Sequence, residues 1–97
     1  LVRAIGPTLK KAFGVTGTDD DPRLTLFSGE TKLASNDNWG GGASLKASFA
    51  SVGAFSLSDS SNDAALVASL PPGNYTVQVA GEKAVGGVVL VEIYELP

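Results

Sequence analysis

Pro71-Pro72-Gly73-Asn74 is the segment that most narrows the fold of this chain. Two consecutive prolines lack backbone donors and cannot sit inside a helix or a central strand, and Gly-Asn suits a tight reversal. Tyr75-Thr76-Val77-Gln78-Val79 follows at once and alternates strictly, aiming Tyr75, Val77 and Val79 one way, as a half-buried strand requires. The same grammar recurs along the chain. Leu1 to Ile5 reads as a strand stopped by Gly6-Pro7, and Leu9 to Phe13 has room for one helical turn. Pro22 introduces Arg23-Leu24-Thr25-Leu26-Phe27, with Leu24 and Leu26 on one face and Arg23, Thr25 and Phe27 on the other. Ser28-Gly29-Glu30 turns that segment into a returning strand over Lys32 to Ser35.

Only Ala43 to Val52 has helical spacing, through Leu45, Phe49 and Val52, and Gly53 ends it. Ala64 to Leu70 and Val88 to Tyr94 complete the strands, with Gly81 to Gly87 connecting to the last one. That last strand is apolar on both faces except at Glu92, so it is expected to be covered on both sides or to abut another subunit. Short strands separated by turn residues predict an all-β fold, an antiparallel β-sandwich of jelly-roll-like form with one short helix. The predicted core comprises Leu24, Leu26, Leu66, Tyr75, Val77, Val79, Val89, Val91 and Ile93.

At 97 residues the chain is one domain, 1–97, and a domain this small buries roughly two thirds of its unfolded surface. Its core is marginal, so contact with a partner chain would add support. Hydrophobic residues at 43% against 18% charged argue against disorder. With no His and no Cys, the commonest general base, the thiol nucleophile and most transition-metal ligands are missing, and the expectation is no enzyme. A net charge of −3 leaves no footprint for nucleic acid. No apolar run, Val88 to Val91 included, is long enough to cross a membrane. The chain opens on Leu1 without a signal-peptide pattern, which reads as processing or excision from a longer chain.

Two clusters crowd oxygen ligands, Asp19-Asp20-Asp21 and Asn36-Asp37-Asn38, and Ca²⁺ takes six to eight such oxygens. Asp20, Asp37 and Asn38 are the candidate metal ligands; otherwise no cofactor is expected. Their spacing departs from the EF-hand, and the competing reading has these side chains satisfying turn backbone. Trp39, beside Asn38 and three glycines, is a candidate stacking platform for a glycan. Against that, a lone Trp in a small domain commonly plugs one end of the fold and bonds its indole N–H to a loop carbonyl. Gly40-Gly41-Gly42 lacks the Lys-Ser/Thr pair of a phosphate-binding loop.

Several strings are more distinctive together than apart: LVRAIGPTL at Leu1 to Leu9, DPRLTLFSG at Asp21 to Gly29, SNDNWGG at Ser35 to Gly41, VGAF at Val52 to Phe55, DAALVASLPPGNYTVQVAG at Asp63 to Gly81 and VLVEIYE at Val89 to Glu95. In combination and order they resemble a β-sandwich module that recurs in large exported bacterial proteins. More distantly they are similar to bacterial pre-peptidase C-terminal domains. The resemblance implies an extracellular or cell-surface location in a bacterium and a non-catalytic structural or accessory role. Some pre-peptidase relatives hold calcium in Asp/Asn-rich loops, which favours the metal reading without naming ligands.

Both ends of the chain are apolar strands. The plain reading pairs them in one sheet. The sharper one is a self-associating module, the subunit of a surface filament, in which a terminal strand adds to the sheet of the next copy. Gly6-Pro7 and Gly14 to Thr18 would be its hinge. Leu1, Val2, Arg3, Ala4, Ile5, Val88, Leu90 and Tyr94 are then the expected assembly surface, with Arg23, Thr25 and Phe27 as a further contact face. Expected partners are copies of itself or neighbouring domains of the same chain. The runner-up is a calcium- or carbohydrate-binding accessory module.

Overall fold

The computed structural model describes residues 1–81 and 87–97. Most of the expected connection from Gly81 to Gly87 lies outside them. Among the described residues six strands and two helices occur, in the order β1 (Val2–Ile5), α1 (Pro7–Phe13), β2 (Pro22–Ser28), β3 (Thr31–Asn36), α2 (Ala43–Ser51), β4 (Ala64–Leu66), β5 (Thr76–Gly81) and β6 (Leu90–Ile93). The strands form two antiparallel three-stranded sheets, β4-β1-β6 and β3-β2-β5.

Two helices form where one was expected. The turn read at Leu9 to Phe13 extends back to Pro7, whose fixed φ and missing N–H suit the first helical position. It ends on Gly14, which takes φ +69° and returns its N–H to Lys10 O while Val15 N–H reaches Leu9 O.

Alternation along β1 explains why the chain has two apolar clusters. Leu1 and Ile5 point to one face, where they pack with Leu9, Trp39, Phe49, Leu57 and Ala65. Val2 and Ala4 point to the other, against Leu24 and Leu26 of β2 together with Ala64 and Leu66. A central strand buried on both faces must be apolar at nearly every position, as this one is.

The core differs from expectation at one edge. Leu24, Leu26 and Leu66 are buried, and Tyr75, Val77, Val79 and Val89 are half-buried at the cluster's border. Val91 and Ile93 are instead 44% and 69% exposed. Register explains this: they sit opposite Ala4 and Val2 on the face shared with the second sheet. That sheet packs against β1 and β4, and its cover stops short of them. The last strand is therefore not covered on both faces within the chain. The expected strand from Ala64 to Leu70 likewise ends at Leu66, the last residue that pairs with β1.

Candidate functional site

The densest polar arrangement was not anticipated from sequence. Arg3, read as part of an assembly surface, is fully buried in β1. Its Nε donates to Glu92 Oε1 at 2.9 Å and its Nη1 to Phe55 O at 2.6 Å. The guanidinium carbon lies 4.6 Å from the Phe49 ring centroid and 4.5 Å from that of Phe55. Burying a cation is costly unless it is paired, and a carboxylate, a carbonyl and two aromatic faces supply that pairing. Nη2 has no hydrogen-bond partner among the described residues. Glu92 also accepts from the Tyr94 hydroxyl at 2.6 Å. That hydrogen bond raises the Tyr94 pKa above its ordinary value, helped by burial and by the Glu92 charge and opposed by Arg3.

A second buried polar node holds the start of α1. Asp63 is fully buried and accepts from Gly6 N–H at 2.8 Å, from Thr8 N–H at 3.3 Å and from the Thr8 hydroxyl. No side chain at Gly6 caps the helix, so a carboxylate brought from 57 residues away satisfies its orphan donors. Gly6 is needed for a further reason: a Cβ there would lie 2.1 Å from Asp19 O. The Gly6-Pro7 hinge expected for strand exchange is thus a clamped corner.

The terminal strands are likewise internal. Leu1, Val2, Arg3, Ala4 and Ile5 are all buried, and β1 lies at the centre of its sheet with β4 on one side and β6 on the other. The ladder with β6 continues one rung further, Tyr94 N–H donating to Leu1 O at 2.8 Å. These five residues form a core strand and not an exposed assembly surface. Tyr94 is half-buried against the Trp39 cluster. Val88 and Leu90, by contrast, are 51% and 38% exposed. The Val88 backbone is tied to Gly17 O and Asp19 N. Arg23, Thr25 and Phe27 are half-buried on the outer face of β2.

Trp39 is a plug and not a platform, being only 4% exposed. Its indole N–H donates to Ser58 O at 2.9 Å and lies 3.2 Å from Ser61 Oγ, and its ring tilts against Phe49 at 5.2 Å. Beside it a hollow of about 360 Å³ opens between Phe49, Leu57 and the Lys46–Asp59 ion pair. An aromatic face must be open for a sugar to stack, and this one is spent on packing. Among the described residues no three His, Cys, Asp or Glu side chains come together. Asp20 lines a separate hollow with Lys11, and Asp37 faces Arg23 at 3.8 Å. Asn38 is exposed.

What the surface does offer is β6. Because Leu1 pairs with Tyr94 through hydrogen bonds, Glu92 and Leu90 also turn their backbone groups toward β1, and those of Val89, Val91 and Ile93 point outward. The two residues with outward-pointing backbone in β6 are thus Val91 and Ile93, whose apolar side chains are also well exposed. No family model, curated protein or solved structure matches the chain.

Proposed function

We propose that the chain is a non-catalytic structural module that associates with copies of itself through the free edge of β6. The reading places it outside a bacterial cell, as the resemblance implies, and takes the two sheets to stack as a β-sandwich around the Leu24, Leu26, Val2 and Ala4 layer. The chain crosses between the sheets at each of the steps β1 to β2, β3 to β4, β4 to β5 and β5 to β6, which favours a jelly-roll-like path.

The observation that carries the proposal is the coincidence, on one edge strand, of outward-facing backbone donors and acceptors with exposed Leu90, Val91 and Ile93. Sheet edges of natural proteins are usually blunted by lysine, proline or a bulge, and an unblunted apolar edge invites another strand. β6 carries no basic residue and no proline, and its single charge, Glu92, is held by Arg3. Association in this form leaves β1 in place, unlike the exchange first expected. Sedimentation velocity across a wide concentration range tests it: the mass should rise with concentration and the rise should vanish in Ile93→Lys. A monomer at every concentration would refute the reading.

A further inference from the structure

Building on the self-association reading, we infer that the partner of β6 is β6 of a second copy, antiparallel about a two-fold axis at Val91. The pair joins two sheets in the order β4-β1-β6-β6-β1-β4. Three observations lead there.

The first is that the opposite edge of the same sheet is closed. The outward amide of Ala65 on β4 already donates to Asn36 Oδ1 at 3.0 Å, and β3 lies against that edge. A head-to-tail contact, β6 to β4, would have to displace both, whereas among the described residues no strand pairs with the outer edge of β6. The second is that an antiparallel edge is its own complement: each outward N–H and C=O of Val89, Val91 and Ile93 finds the converse group on the same strand reversed.

The third is register. Centring on Glu92 would set two carboxylates directly opposite, which is unfavourable. Centring on Ile93 would set Val91 against Glu95. Centring on Val91 sets Val91 against its own copy and Ile93 against Val89, apolar against apolar across three rungs, and turns Leu90 toward Glu92.

The chain has no cysteine, so introduced thiols report geometry cleanly. In this register the two Val91 Cα atoms are about 5.5 Å apart, within disulfide reach. The two Ile93 Cα atoms are about 14 Å apart. Under mild oxidation Val91→Cys should give a covalent dimer several-fold faster than Ile93→Cys, and the double variant Val89→Cys/Ile93→Cys should also cross-link. In the unmodified chain, hydrogen exchange at the Val91 and Ile93 amides should slow as concentration rises while exchange along β3 and β5 does not. Equal cross-linking of both single variants, ladders beyond the dimer, or unprotected Val91 and Ile93 amides in a chain that does associate would overturn the two-fold pairing alone. A chain that never associates would overturn the pairing and the proposed function together.

Discussion

β1 has two neighbours, and they are treated oppositely. On one side β4 is three residues long, fully buried, and has its outward Ala65 amide taken by the Asn36 side chain. On the other, β6 pairs along all of β1, yet it leaves Leu90, Val91 and Ile93 exposed, and among the described residues no strand pairs with its outer edge. The longer ladder is therefore the unsealed one. Hydrogen bonding to a central strand fixes where a strand lies; whether its other edge is available depends on what else covers it. Among the described residues this sheet is closed on one side and unpaired on the other.

The contrast can be broken most forcefully at Arg3, which fastens β6 to β1 through Glu92 and fixes the face that each presents. Arg3→Ala removes a fully buried cation, leaves Glu92 without its counter-charge and opens a void between Phe49 and Phe55. Breaking a buried pair from one side costs about 3–5 kcal/mol, which urea unfolding would register as a lowered midpoint. Arg3→Met, which refills the volume, should recover part of the loss. A variant as stable as the parent would show that the aromatic pocket does not depend on the cation.

The next effect in size is at Asp63, on the sealed side just before β4. Asp63→Ala strands the Gly6 and Thr8 amides and the Thr8 hydroxyl at once, and should cost about 3 kcal/mol. Hydrogen exchange would show the opening concentrated in α1 and the Gly6 corner. Asp63→Asn, which keeps the shape and one carbonyl acceptor, should cost less.

Much of the layout could be read from residue order. The alternation of Leu24 and Leu26, the spacing of Leu45, Phe49 and Val52, and the turn at Pro71 to Asn74 each describe a local periodicity that the fold preserves. What escaped depends on which element lies opposite. Val91 and Ile93 were expected in the core because apolar density reports a wish to be covered and cannot say whether a cover reaches that far. Val67 to Leu70 looked like strand for the same reason, but the pairing with β1 stops at Leu66. Trp39 offered both a plug and a platform, and only the position of Ser58 and Ser61 decides between them. The Arg3–Glu92 pair did leave a signal: each is the only charge in an otherwise apolar segment, Leu1 to Ile5 and Val88 to Tyr94. Two lone opposite charges in two apolar segments point to each other. Asp63 left none, since a carboxylate closing a polar loop looks the same whether it caps a distant helix or faces water.

Asn36→Ala sharpens the comparison by unsealing the closed edge. The Ala65 amide loses its acceptor, for about 1–2 kcal/mol in unfolding free energy. The more telling readout is association: with both edges of the sheet open, species larger than a dimer should appear in light scattering. If the variant stays no larger than the parent, β3 alone closes that edge and the Asn36 side chain is incidental to it.

Ile93→Lys should be the gentlest change to the folded chain and the most specific to the open edge. Ile93 is 69% exposed, so its loss removes little buried surface, and surface substitutions of this kind shift stability by no more than about 0.5 kcal/mol. Its position opposite Val2 in the β1 ladder depends on backbone hydrogen bonds and on Arg3–Glu92, neither of which the substitution touches. A lysine on an edge strand nevertheless has to be desolvated before another strand can dock beside it, which is how such edges are ordinarily protected. Unchanged melting together with a lost dependence of mass on concentration would separate the strand's role within its own sheet from its role toward a partner. A fall in melting comparable with that of Arg3→Ala would mean instead that Ile93 has cover within the folded chain, and the distinction between a sealed and an open edge would disappear.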